Sequence, residues 1–303
     1  MPAPAVGVFL PTLSGRGEPL ADVVAAARHA EDLGFESVWV VDQLVAGTGV
    51  PILDSGTVLA AAAGATRRVR LAYGVMIVPL RPVVWAAKQV ASLQHLSGDR
   101  VILGVGVGGD RHGRSWVAAG VPRRERGRRT DAALAVLPDL IAGKPSIVDG
   151  AEVTLSPGAT VPPIVVGGTA EAALARAAAH GDSWFSLPVP PPLVAETAER
   201  LAALAEAAGR PVPAITGSAM VAVDGDPALA PPDALVRALA DPDGLYGIPA
   251  EAVPDALVTG GPEAVAARLA GFAAIGAERV VVTLAGGDWF RQAELLAEAA
   301  RRL

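Results

Sequence analysis

The 303-residue chain has no cysteine. That excludes a disulfide framework, thiolate metal sites and a cysteine nucleophile. Lysine is almost missing: Lys88 and Lys144 are the only two, a scarcity we read as codon bias. The net charge is −6, and the one dense basic run is Arg123 to Arg129. A nucleic-acid partner is not expected from such a balance. Although 51% of the residues are hydrophobic, no uninterrupted apolar run reaches the ~18 residues that a bilayer span requires. No basic segment precedes the first apolar stretch after Met1-Pro2-Ala3-Pro4, so neither a secretory signal nor a membrane partner is expected, and the expected location is cytoplasmic.

What is present is alternation. Short β-branched runs and alanine-rich helical stretches follow one another from end to end, as in βαβ units around a parallel sheet. Strands are expected at 6–10, 36–41, 69–78, 101–107, 163–166, 183–186, 214–223 and 279–284. The first helix is expected to open at Pro19 and to stop at Gly34 as a left-handed cap. Others are expected at 56–65, from Pro82 to Ser97-Gly98, at 128–141, 170–180 and 193–208, from Pro262 to Gly276, and from the eighth strand to the C-terminus. The stretch 143–163 reads as an insertion with a small hairpin around Ile147 and Val153. The Pro- and Asp-rich stretch 224–254 reads as loops with short helices. Eight strand–helix units without a linker-like break predict an α/β fold, a (β/α)₈ TIM barrel over 1–303 as one domain, with insertions after strands four and seven. An open doubly wound sheet is the competing architecture.

In such a barrel the site lies at the C-terminal ends of the strands. That rule selects Asp42, Gln43, Gly74, Val75, the run Gly104-Val105-Gly106-Val107-Gly108-Gly109, Asp110, His112, Gly167, Gly168, Thr169, Ser186 and Asp288. The glycine run lets backbone approach a ligand, or else serves tight barrel packing; it lacks the context of a dinucleotide fingerprint. Gly167-Gly168-Thr169 leads a strand into a helix whose free N–H groups attract phosphate, unless Thr169 simply caps that helix. Of four histidines only His112 falls on this face, which leaves no three-histidine metal site; no metal is expected. His112 is a candidate proton donor or a plain loop residue. Asp42 is either catalytic or a hydrogen-bond anchor for the strand end. Arg123 to Arg129 either grips a polyanionic tail or is a solvated helix entry. Trp39 reads as core, and Trp184 as core or pocket wall. Trp85, Trp116 and Trp184 are the candidate stacking platforms, and 46–54, 110–123 and 188–192 are the expected pocket walls. No nucleophile elbow and no P-loop is visible. Glycines with few acid–base groups point to a cofactor that carries the chemistry.

Four segments carry a family resemblance. They are Ala27 to Leu44 (ARHAEDLGFESVWVVDQL), Arg68 to Gly109, Pro162 to Phe185 (PPIVVGGTAEAALARAAAHGDSWF) and Thr259 to Asp288 (TGGPEAVAARLAGFAAIGAERVVVTLAGGD). In this order they resemble the bacterial-luciferase-like superfamily, and the form GVGVG is similar to its branch dependent on coenzyme F420. The resemblance implies a non-prolyl cis peptide at Gly74-Val75 behind the cofactor ring. It places Gly106, Val107, Gly108 and Gly109 beside the cofactor, has Gly167, Gly168 and Thr169 hold its phosphate, and implies a homodimer.

One departure matters. The family's strand-two Asp-His pair is Asp42-Gln43 here, and Gln is neither acid nor base near neutral pH. Gly109 also stands where related sugar-phosphate dehydrogenases carry an acid. The catalytic candidates are therefore Asp42, Gln43 and His112, with Asp110 a second proton source. The favoured activity is an F420-dependent oxidoreductase, a reductase passing hydride to an activated C=C or C=N bond of a small molecule. One alternative is an FMN-dependent monooxygenase consuming O₂ with a partner reductase. Another is a barrel that binds cofactor or ligand without turnover.

Overall fold

The computed structural model describes residues 2–15, 17–47, 49–109, 112–240 and 249–303. Among them the strands are β1 (Ala5–Phe9), β2 (Ser37–Val40), β3 (Arg70–Tyr73), β4 (Met76–Ile77), β5 (Val101–Gly106), β6 (Ser146–Val148), β7 (Ala151–Val153), β8 (Ile164–Gly167), β9 (Ser183–Pro188), β10 (Ala214–Val223), β11 (Leu257–Gly260) and β12 (Ala277–Leu284). The helices are α1 (Val23–Leu33), α2 (Ser55–Ala65), α3 (Val83–Ser97), α4 (Arg114–Ala118), α5 (Arg126–Ile141), α6 (Glu171–His180), α7 (Pro191–Ala207), α8 (Pro232–Leu239), α9 (Val253–Ala256), α10 (Pro262–Ala274) and α11 (Trp289–Ala300). Parallel pairing runs β12-β1-β2-β3-β5-β8-β9-β10 and returns from β10 to β12, so the sheet closes into a (β/α)₈ barrel. No helix among the described residues is long and apolar enough to cross a membrane.

The period of two along each strand splits the side chains between two cores. Outward-facing Val38, Val40, Leu71, Leu103 and Val105 pack with Leu134 and Leu137 in the layer between barrel and helices. Inward-facing Trp39, Ala72, Ile102, Val165 and Val281, with Phe9 and Phe185, fill the lumen.

Several differences from the sequence reading have local causes. Helix α1 starts at Val23, not Pro19, because the Asp22 carboxylate accepts from the N–H groups of Val24 and Ala25, which satisfies the orphan donors of a first turn. Gly34 does stop it, at φ 89°. The expected third strand is interrupted by a cis peptide at Gly74-Val75 and resumes as β4, which pairs with β5. Strand β11 is additional: it continues along the edge of β10 from Met220 to Val223, beyond the part that β9 covers. The hairpin β6–β7 forms where the sequence places it.

The end of the barrel remote from the strand C-termini is closed by an ion pair. Arg279 donates from Nε and Nη2 to the two carboxylate oxygens of Glu36 at 2.9 and 3.0 Å, and Arg279 is buried. Burial alone would raise the Glu36 carboxyl. The Arg279 hydrogen bonds and charge, with Ser37 and Arg70, outweigh it and hold the carboxyl below its ordinary 4.5. Such a group stabilises the fold above its unfolded-state value and loses that contribution as pH falls through the lowered value. Glu36→Gln is expected to cost about 2–3 kcal/mol at pH 7 by leaving the buried Arg279 only the half-exposed Glu278, 3.3 Å from its Nη1, as counter-charge. Denaturant melts of variant and parent are expected to converge as pH drops below 4.5; a gap that persists in acid contradicts this account.

Candidate active site

The strand C-termini form a mouth whose floor is aromatic. The Trp39 ring stacks on Phe185 with centroids 5.2 Å apart and planes 10° from parallel. Phe9 stands 6.3 Å from Trp39 and edge-on to Phe185 at 6.5 Å. Gly74 lies against this floor, so close that a Cβ there would sit 2.7 Å from Phe9 Cε1 and 3.0 Å from Trp39 Cε3. The Val75 side chain packs over Gly106 and Gly167, where a Cβ would come within 2.4 and 3.2 Å of its methyls. Val107 and Gly108 are half-buried and Gly109 is exposed, with open space where a Cβ would stand. Four candidate stretches (74–75, 106–109, 167–169 and 42–43) thus share the C-terminal end of the barrel.

Asp42 is buried and fully engaged. It accepts from Ser55 Oγ at 2.6 Å, the Ile77 N–H at 2.7 Å and Arg81 Nη2 at 3.0 Å. Its carboxylate therefore joins the end of β2 to α2, to β4 and to the cation that follows. Gln43 is buried too; its Nε2 donates to Ser115 Oγ at 2.6 Å and to the Val45 carbonyl at 3.2 Å. Ser115 in turn accepts from the Val45 N–H at 3.1 Å. Helix α4, which the sequence reading did not contain, is thereby tied across the mouth. Its buried Trp116 packs with Ile77 and Leu80 and lies beside Gly108. Burial, then the Asp42 charge, push the Tyr73 phenol well up, so it is no acid or base at neutral pH. His112 is exposed in the loop before α4. Asp110 lies outside the described residues.

At the far wall, Gly168 takes φ 119°, a conformation that an L side chain resists. Trp184 proves to be outer core, and its Nε1 donates to the Gly168 carbonyl at 2.8 Å, fixing the turn. Thr169 does not cap the helix: Ala170 is the N-cap of α6, and no side chain bonds its first-turn N–H groups. Glu171 in that turn is held by Arg200 of α7. Asp288 caps α11 by accepting from the Arg291 N–H, and the buried Ser186 Oγ accepts from the Ser218 N–H. The expected tryptophan platforms do not form: Trp85 is exposed on α3, and Trp116 and Trp184 are buried in wall and core. The aromatics that reach the mouth are the half-buried Phe9 and Phe185, backed by the fully buried Trp39. The signal for them was the inward register of positions that end β1 and run through β2 and β9. A separate open groove of about 610 Å³ lies at the other end of the barrel beside Gln94, His95 and Thr160. Its amide and imidazole are spent on the Thr160 and Gly158 carbonyls.

The mouth thus brings together an aromatic floor, glycine strand ends and a helix start without a side-chain cap, and free N–H groups at a helix start attract anions. Residues 5–279 match the family model described as luciferase-like monooxygenase, and the chain belongs to that family. An uncharacterised protein of Mycobacterium tuberculosis is 34% identical over 171 residues, covering 54% of this chain and 58% of that protein; the match spans little more than half the length of that relative. Among solved structures, an F420-dependent secondary alcohol dehydrogenase in complex with an F420-acetone adduct has a TM-score of 0.81 at 19% identity, over 98% of each chain. A type II Baeyer-Villiger monooxygenase component of Pseudomonas putida in complex with FMN has a TM-score of 0.76 at 16% identity, over 99% of each chain.

Asp42→Ala is expected to destabilise the protein by about 3 kcal/mol, because Arg81, the Ile77 N–H and Ser55 lose one shared acceptor. Chemical denaturation checks this. A variant as stable as the parent would leave Asp42 free for chemistry rather than support.

Proposed function

We propose that the protein is an F420-dependent oxidoreductase that works as a reductase on a small molecule carrying an activated C=C or C=N bond. One observation carries the reading: the two polar residues at the end of β2 are committed to structure. Asp42 meets three donors and Gln43 holds α4, so neither is poised to take a proton from an alcohol. The residues fit a deazaflavin cofactor. Phe9, Trp39 and Phe185 offer an apolar base, Gly106 to Gly109 let a ring approach the backbone, and Gly167, Gly168 and Thr169 lead into the N–H groups of α6 for a phosphate. The likeness of Gly104 to Gly109 to the F420 branch supports that cofactor over FMN.

Reduced F420 supplies a hydride equivalent when bound. The chain supplies position, exclusion of water by the α4 wall, and a proton. We assign that proton to His112, exposed in the loop before α4, with Asp110 or water as the other sources. The substrate, the homodimer implied by the family resemblance, and Asp42 and Gln43 as positioning residues belong to the same reading.

Fluorescence titration of the purified protein with F420 and with FMN tests it. Tight F420 binding with weak FMN binding is expected. The reverse order favours a reduced-FMN monooxygenase that consumes O₂ and needs a partner reductase, and binding of neither favours a barrel without the family's chemistry. Within the reductase reading, His112→Gln is expected to lower kcat about 100-fold without weakening cofactor binding; an unchanged kcat assigns the proton to Asp110 or water.

A further inference from the structure

The basic run Arg123 to Arg129 is left unexplained by the fold. It holds five arginines against one glutamate in a chain of net charge −6. Glu125 is occupied by Arg128 and Arg129. Arg123 and Arg124 are exposed and Arg126 half-exposed, and among the described residues none of the three has a carboxylate partner. Arg114, at the start of α4, is exposed and equally without one. These cations lie on the connection from β5 to α5, which leaves the barrel at the mouth and turns down into α5. They therefore stand on the rim and not on the barrel's flank.

The adjoining rim position is the start of α6. The two helices lie side by side: Arg176, midway along α6, pairs with Asp131 in the second turn of α5, and its Nη2 lies 3.0 Å from where a Cβ on Gly127 in the first turn would be. Neighbouring helix axes lie about 10 Å apart, and about three residues of an extended chain span that distance. An anionic chain leaving a phosphate at the α6 start would thus reach the first turn of α5 within a few units.

We propose that Arg123, Arg124 and Arg126, joined by Arg114, form a rim subsite for the carboxylate-bearing tail of the cofactor. Coenzyme F420 carries an oligoglutamate tail beyond its phosphate, whereas FMN ends at its phosphate. The rim therefore discriminates by tail length where the mouth recognises the ring. The inference rests on the F420 reading and deepens it. Exposed arginine–carboxylate contacts are individually weak and screened by salt, so the preference is a sum over several cations and depends on ionic strength.

The test compares dissociation constants, by fluorescence, for F420 with its full tail and for F420 trimmed of its glutamates. The parent protein is expected to bind the full-length form about tenfold more tightly at roughly 50 mM salt, with the difference disappearing near 500 mM. The triple variant Arg123→Gln/Arg124→Gln/Arg126→Gln is expected to bind both forms alike. Arg126 Nη1 donates to the Arg123 carbonyl. If the triple variant misfolds, Arg123→Gln/Arg124→Gln, which leaves that contact intact, is expected to lose most of the preference. Equal affinity of the parent for both forms, or a preference that survives in the variants, overturns the rim subsite while leaving the F420 reading intact. Binding of neither form overturns both.

Discussion

Asp42 and Gln43 are consecutive, and between them they close a circuit around one side of the mouth. The Asp42 carboxylate holds the Ile77 N–H and so fixes β4. The side chain of Ile77 packs against Trp116 of α4. The neighbour of Trp116, Ser115, receives the Gln43 amide. The chain thus returns to the residue beside its starting point, through contacts that span 35 and 72 positions of sequence. A buried carboxylate is costly to desolvate, and here three donors compensate it. The position of Gly108 follows from that circuit, because it lies between Ile77 and Trp116.

This arrangement separates support from chemistry. A glutamine in the second position gives up acid–base capacity, but it offers an amide donor that binds hydroxyl and carbonyl together, which is what the α4 wall uses. On the opposite wall the Trp184 indole does comparable work by holding the Gly168 carbonyl, leaving the α6 start uncapped. The mouth is thus braced by side chains that point into the walls and lined by backbone that faces the opening. Such a mouth suits a cofactor that brings its own reactivity.

Much of the barrel was legible in the sequence because strand and helix periodicities are local. All eight barrel strands, the β6–β7 hairpin and the glycine stops at Gly34 and Gly98 fall where apolar spacing and glycine placement put them. The start of α1 was missed because Pro19 is a general signal, whereas the Asp22 cap is a specific contact. Helix α4 was missed because it is only five residues long and is stabilised by Trp116 burial and the Ser115 bonds, not by an amphipathic pattern. Strand β11 needs the second half of β10 as its template, which no local window contains. At the site, the glycine stretches were readable by position. The aromatic floor was not, since it takes barrel closure to bring Phe9, Trp39 and Phe185 together.

The most direct test of the account is where the cofactor binds. Hydrogen exchange followed by mass spectrometry on the protein alone and saturated with F420 reports this without requiring a substrate. The account predicts slowed exchange in 106–109 and 167–173, with the aromatic floor strands little changed because they are already buried. Protection confined to the groove at 94–99 and 158–160, with the mouth unchanged, would contradict it.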